Sequence, residues 1–354
     1  MTVKVISGPA NWMEAGALRQ LESIGRYPGA ELVVGLPDLH GGRSPVGLVA
    51  EIRGHVYPYL IGGDIGCGMA LFDPSIPRRR FRPERAAKIL SGLSGLGSAS
   101  PPEGFGEPCP IRDFGSIGGG NHFVEFQAIE EVADQGSLDL MGLEPGQVLV
   151  LVHSGSRGFG QEILEAFARE TGYGAAEPEA KAYLGQHDRA VAWAARNRQA
   201  AAGNMVSALG LGGEPRLVLD HPHNHIEEHG DLLVHRKGAV SALRGPAVIA
   251  GSRGSFSYLV RPCPDSAQAG HSISHGAGRK WARSDCRGRL SKKLGKDDLR
   301  RTALGSLVVC RDAELLFQEA PQAYKDIREV INVLVGHRLL TVLAVLRPLL
   351  TFKG

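Results

Sequence analysis

The sequence predicts a single α+β domain spanning residues 1–354, a β-rich core flanked by helices. Three observations carry that prediction. Short apolar and β-branched runs between glycine turns recur in both halves of the chain. One stretch, residues 159–209, has helical rather than alternating periodicity. Strands do not alternate regularly with helices, which argues against a doubly wound parallel sheet.

In the first half the predicted strands are ELVVGL (31–36), VGLVAEI (46–52), HVYPYLIGG (55–63) and GMALF (68–72). A helix is predicted over 82–96, with Ala86, Ala87, Ile89, Leu90 and Leu93 on its inner face. QVLVLVH (147–153) reads as a buried strand that delivers His153 to its end. Helices are expected at Glu162–Glu170 and Glu179–Leu209, the second anchored inward by Tyr183, Val191, Trp193, Met205 and Val206. This block reads as a helical insertion on the β-rich core. Strands resume at 216–219, 231–235, 247–249 and 256–260, and a last helix covers about 326–334. The apolar run VLAVLRPLLTF follows.

Composition narrows the function classes. Of 354 residues, 43% are hydrophobic and 22% charged, the balance of a soluble globular protein. The 48 glycines cluster beside His, Cys, Asp and Ser, as site-building loops do. A net charge of +3 does not by itself announce a nucleic-acid binder. Any phosphate-binding surface must come from local clusters: Arg78–Arg80 with Arg82, or Arg279, Lys280, Arg283, Arg287, Arg289, Lys292 and Lys293. Five scattered cysteines (Cys67, Cys109, Cys263, Cys286, Cys310), no secretory leader pattern and no 18-residue apolar run point to a cytoplasmic protein with reduced thiols.

The chemistry is concentrated in the histidines, of which there are 13. Asp64 and Cys67 lie three apart on a glycine loop, close enough for both to reach one cation. Asn121-His122 follows three glycines, and His153 precedes Ser154-Gly155-Ser156-Arg157. Asp220-His221-Pro222-His223-Asn224-His225 sets imidazoles at alternate positions, and His275 stands beside Gly276-Ala277-Gly278-Arg279. One thiol, one carboxylate and three or four imidazoles suffice for a two-metal site with a bridging sulfur. A remaining imidazole, His275, is then free as a phosphorus nucleophile, with Arg279 to neutralise the phosphate. Taken singly, each of these is ordinarily structural or solvated; their number and context together make the argument. His225 and His229 read as solvated residues of a polar stretch, and His55, His187 and His337 as structural or solvated. The loop Gly251-Ser252-Arg253-Gly254-Ser255-Phe256-Ser257 is a second candidate cradle for an anion or a base edge. Neither G-x-x-x-x-G-K-S/T nor a strand–G-x-G-x-x-G–helix unit is present.

Ten stretches in one order resemble the RtcB-type RNA-splicing ligases over most of the chain: PDLHGG (37–42), GGDIGCGM (62–69), GSIGGGNHFVE (115–125), VHSGSRGFG (152–160), HNH (223–225), HRKGA (235–239), GSRGSFSYLV (251–260), SISHGAGR (272–279), EAPQAYKDI (319–327) and the terminal FKG. The resemblance implies that family's fold and a reaction dependent on GTP and two Mn²⁺ ions. A histidine takes GMP from GTP and passes it to an RNA 3′-phosphate, and an RNA 5′-hydroxyl then displaces GMP. A 2′,3′-cyclic phosphate is first opened. By motif, Asp64, Cys67, His122, His153 and His223 are the implied metal ligands, and His275 is the implied nucleophile. Asn121, Glu125, Asn224, Gly251, Ser252, Arg253, Ser257, Gly276, Ala277, Gly278, Tyr324 and Lys353 are the implied guanylate contacts. Arg157, Arg279 and Arg283 are the implied contacts to RNA or transferred phosphate. Lys353 is expected in the pocket because the apolar run before it should pack that end into the core.

Two features depart from the family pattern. Arg253 stands where those ligases usually have methionine, and HPHNH leaves His221 and His225 as alternates to His223. With the short chain, they suggest a divergent branch acting in RNA repair rather than tRNA splicing. The expected partners are broken RNA and GTP, with a protein activator an open addition, and the expected state is a monomer. A dinuclear phosphohydrolase and a non-catalytic RNA-binding relative are the competing readings.

Overall fold

The structure is a computed structural model that describes residues 1–93, 95–96 and 113–354; Cys109 lies outside the described residues. Two sheets carry the architecture. The smaller runs in the order Thr2–Val5, Ala30–His40, Val46–Arg53, Leu232–Lys237, Asn224–His229, and only its first pair is parallel. The larger, eight-stranded sheet runs Ala247–Ile249, Ser257–Pro262, Leu340–Lys353, Phe123–Val132, Gln147–Ser154, Gly68–Pro77, Arg216–Pro222, and Leu307–Cys310 pairs in parallel with the end of Leu340–Lys353. A mixed α+β fold with a β-rich core is therefore what the chain adopts.

The central strand Gln147–Ser154 shows why its sequence is apolar throughout. Side chains alternate across a strand. Val148, Val150 and Val152 enter one core with Phe72, Phe126, Met205 and Val206. Leu149 and Leu151 enter the opposite core with Leu71, Leu259 and Leu346. Both faces are covered, so neither register position can be polar. The helix Glu179–Ala208 covers the valine face with Met205 and Val206 and buries Tyr183 and Trp193 in a separate cluster, while the fifth expected anchor, Val191, is only partly buried. The helix Gly158–Thr171 precedes it, so the helical block at 159–209 stands.

Three readings are corrected or completed. HVYPYLIGG does not form a strand: Pro58–Ile61 is one helical turn. Pro58 at the first position needs no N–H there and arrives with helical φ, and Gly62 at φ 78° ends the turn. The predicted helix 82–96 stops at Gly92, and Leu93 is already extended. The run VLAVLRPLLTF lies inside a strand of 14 residues, Leu340–Lys353. Pro348 is tolerated there because the ladder to Phe123–Val132 shifts register between Pro348 and Leu350. Among the described residues no helix is long and apolar enough to cross a membrane.

Candidate metal and nucleotide site

Strand register assembles the site. In the large sheet His153 pairs with Met69 on one side and Phe123 on the other, while Gly68 pairs with Ser154 and Pro222. Cys67, His122 and His223 each fall one residue beyond these partners, so all four side chains gather at one end of three adjacent ladders. Cys67 Sγ lies 3.4 Å from His122 Nε2 and 3.2 Å from His153 Nε2. His153 Nε2 lies 3.3 Å from His223 Nε2, and Asp64 Oδ2 lies 2.8 Å from His122 Nε2.

The donor chemistry of this cluster fits a cation. His122 Nδ1 donates to the Ile117 carbonyl at 3.0 Å, and His153 Nδ1 donates to the Asn121 carbonyl at 3.1 Å. Those bonds put the proton on Nδ1, so each Nε2 presents a lone pair toward the same sulfur. Burial pushes the Cys67 thiol well above its ordinary range, and Asp64 adds to the effect. Burial likewise holds His153 and His223 well below the ordinary imidazole value, so both are neutral. Imidazole lone pairs converging on a buried thiol fit a divalent ion, which would displace the thiol proton and favour the thiolate. Cys67, His122 and His153 form the cluster with ligand atoms within 4.8 Å of one another; Asp64 and His223 adjoin it.

His275 faces this cluster, its ring centroid 4.6 Å from that of His223. Its Nδ1 donates to Asp38 Oδ2 at 2.7 Å, which leaves Nε2 as the free, nucleophilic nitrogen. Asp38 is fully buried, and Lys325 fixes the backbone on both sides of it by donating to the Pro37 and Leu39 carbonyls at 3.0 and 2.7 Å. Asp38 is the functional candidate that residue reading missed. It lies inside PDLHGG, but only the tertiary fold brings it to a histidine 237 positions away.

A cavity of about 1200 Å³ opens over both groups. Beyond Phe123, whose ring lies 5.4 Å from His153 and 5.8 Å from Lys353 Nζ, is a second polar end. Glu319 is its hub, accepting from Arg279 at 3.0 Å and from Tyr324 at 2.5 Å, with Lys353 Nζ at 3.5 Å. Glu319 was not singled out in the sequence, although EAPQAYKDI begins with it. Glu125 accepts from Gln127 at 2.7 Å and from Thr351 at 2.5 Å, and burial raises its carboxyl to about 7. Lys353 is buried and lines the cavity, as the packing argument required. Ser252 Oγ lies 3.0 Å from Ser255 Oγ, and Ser257 Oγ accepts from Gly251 N and Gln127. Gly251, Gly276, Ala277 and Gly278 also line the cavity. Arg253 is buried there, donating to the Leu316 carbonyl at 2.8 Å while Nε and Nη1 have no partner.

Other expected contacts are placed differently. Arg279 is engaged by Glu319, Tyr324 and the Gln318 and Trp281 carbonyls. Asn224 uses its amide within the fold, accepting from Gly238 N at 3.0 Å, though it still lines the cavity. Arg283 reaches Glu319 at 3.5 Å and Asn121 at 3.4 Å. Arg157 adopts φ 59° and helps hold the Asp64 carboxyl low, but is not part of the cavity wall. Of the alternates, His221 turns away to the Pro246 carbonyl at 2.8 Å. His225 is not solvated: it is 1% exposed and both ring nitrogens lack partners. His187 is structural, accepting from Ile226 N at 2.9 Å.

A thiol–imidazole cluster at the strand ends of a mixed sheet, facing a carboxylate-held histidine, defines an α+β protein whose cavity holds a candidate metal site. The chain belongs to the RtcB family: it matches the family described as tRNA-splicing ligase RtcB over residues 20–111 and 107–354. It is 42% identical to the RNA-splicing ligase RtcB2 of Escherichia coli strain ATCC 25922, over 97% of this chain and 93% of that one. It is 29% identical to the RNA-splicing ligase RtcB of Escherichia coli K12 and 26% identical to the tRNA-splicing ligase RtcB of Aeropyrum pernix. Each match covers 97% of this chain, with 95% and 91% of the relative.

Proposed function

We propose that this protein is a GTP-dependent RNA ligase that joins 3′-phosphate or 2′,3′-cyclic phosphate ends to 5′-hydroxyl ends, in RNA repair or tRNA splicing, acting as one domain. The observation that carries the reading is the free Nε2 of His275, whose ring is held by Asp38 and lies with its centroid 4.6 Å from that of His223, a candidate metal ligand. Family membership supplies the substrate class, since the relatives are named as RNA-splicing ligases.

Asp64, Cys67, His122, His153 and His223 would hold two Mn²⁺ ions, which would neutralise triphosphate oxygens. His275 Nε2 attacks the α-phosphorus of GTP, forming a P–N bond as the bond to pyrophosphate breaks. Asp38 stabilises the positive charge that develops on the ring. An oxygen of the RNA 3′-phosphate then displaces the histidine, so the P–N bond breaks and a P–O–P linkage forms. Finally the 5′-hydroxyl oxygen attacks the activated 3′-phosphorus, releasing GMP and a proton. Glu125, Tyr324, Lys353 and the Ser252–Ser257 loop form the guanylate end, and Arg283 acts on RNA or transferred phosphate.

Incubation with α-labelled GTP and MnCl₂, followed by denaturation, tests this. Label should remain on the chain through an acid-labile, alkali-stable bond and vanish in His275→Ala. Hydrolysis of RNA ends or nucleotide without a covalent adduct would instead identify a dinuclear phosphohydrolase, and label on His275→Ala would exclude His275 as nucleophile.

A further inference from the structure

The cavity is larger than one nucleotide requires. At about 1200 Å³ it exceeds the roughly 300–1,000 Å³ that encloses a typical small ligand. The part not used above is a lip formed by Trp12, the helix Ala15–Ile24 and the loop at Gly41 and Gly42.

The three tryptophans differ in a telling way. Trp193 is fully buried. Trp281 lines the cavity, but Lys280 and Arg289 already lie over its ring, 5.5 and 5.1 Å from the centroid. Trp12 also lines the cavity, is 53% exposed, and among the described residues has neither a ring nor a cation against it. It is nonetheless held in place. Asn11 Nδ2 donates to the Pro37 carbonyl at 3.1 Å, and Gly41 N donates to Glu14 Oε2 at 3.0 Å. Both neighbours are thus tied to the segment that carries Asp38, the partner of His275.

Two exposed arginines on or next to this lip are unpaired among the described residues. Arg19 lies on the same lip and Arg43 follows the glycine loop; both are exposed, and among the described residues neither forms an ion pair. Glu14, the carboxylate of the lip, is engaged by Gly41 N. An open indole on a lip that carries one free guanidinium, with a second on the residue after its glycine loop, is the chemistry that binds single-stranded nucleic acid. Every base has a face to stack, and guanidinium pairs with phosphate.

We propose that Trp12, Arg19 and Arg43 dock a single-stranded RNA end, with a base stacked on Trp12 and the adjoining phosphates facing the two arginines. The inference rests on the ligase reading, in which RNA must reach His275.

Binding of two labelled RNA decamers to the full-length, Mn²⁺-loaded protein tests it, one ending in a 3′-phosphate and the other in a 5′-hydroxyl. Trp12→Ala should weaken at least one of them about tenfold, within the range for loss of one stacked base. Trp12→Phe should restore most of that loss. Whichever decamer responds identifies the strand that lies on the lip. Replacing Arg19 and Arg43 together by alanine should reduce the slope of log affinity against log salt by about 1.4. Wild-type affinity of Trp12→Ala for both decamers, equal weakness of the Ala and Phe variants, or no RNA binding by the wild type would each overturn the proposal. Wild-type protein that binds RNA but takes no label from GTP would instead sink the ligase reading, and the Trp12 comparison would still be decided by its own numbers.

Discussion

Two carboxylates of the cavity behave oppositely, and the difference is one of neighbours. Burial alone would raise both. Glu319 is surrounded by Lys353, Arg279, Tyr324 and Arg283, which pull it below the ordinary value. Glu125 has two neutral donors and a more distant Lys353, so burial prevails and it stands at about 7. Between the ordinary 4.5 and about 7 the folded chain keeps a proton that the unfolded chain has lost. Stability from this group is thus present at low pH and declines as pH rises through that window. In Glu125→Gln that decline should be absent. The unfolding free energy of the variant relative to wild type, from urea denaturation, should climb between pH 5 and 8, by on the order of 3 kcal/mol at most. A difference that stays flat with pH would contradict the assignment. Cys67, His122, His153, His223 and His275 were legible in sequence because each sits in an unusual glycine or strand-end setting. Asp38, Glu319 and the burial of His225 were not, because an isolated acid or an alternating histidine looks the same whether solvated or enclosed.

At the scale of elements, the long helix Glu179–Ala208 does more than cover a sheet face. Its Arg198 is 1% exposed and donates to Asp220 at 2.8 Å and to the Gly66 and Ser154 carbonyls at 2.7 Å each. It therefore ties together the Asp64–Cys67 loop, the strand end bearing His153 and the strand leading to His223. Arg198→Met should cost about 3–5 kcal/mol, because Asp220 is left without its partner. It should also weaken Mn²⁺ binding, although Arg198 is no ligand. Urea denaturation and a metal titration would check both, and unchanged metal affinity would show that the loops hold their places without it. The helix itself was readable from alanine content and spacing. Its Arg198 was not singled out, since nothing local marks a cation destined for two carbonyls. The strand Phe123–Val132 was missed for a related reason: EFQAIEEV buries Glu125 and Gln127, and polar residues facing inward defeat a pattern based on hydrophobicity.

For the whole molecule, four candidate ligands from distant segments form a chain of contacts, His122 to Cys67, Cys67 to His153 and His153 to His223, each 3.2–3.4 Å long. A cation that binds only this arrangement stabilises it by mass action, by about 2.7 kcal/mol at a hundredfold excess over its dissociation constant. Mn²⁺ should therefore raise the melting temperature of the wild type in a concentration-dependent way, a chelator should reverse the shift, and Cys67→Ala should largely lose it. An identical response in Cys67→Ala would place the metal elsewhere. The fold class was legible from the spacing of strands and helices. The pairing order was not, since strands separated by most of the chain lie side by side.

The strand Leu340–Lys353 lies in the interior of the large sheet, between Ser257–Pro262 and Phe123–Val132. A ribosome makes the flanking ladders long before this insert, so the nascent chain carries two open sheet edges, each able to recruit a stray strand. Closure, and with it the delivery of Lys353 beside Glu319, has to await the emergence of residue 353 from the exit tunnel. A partly synthesised chain on this account lacks one wall of the cavity, and its dependence on chaperones should be greatest just before translation of that segment ends.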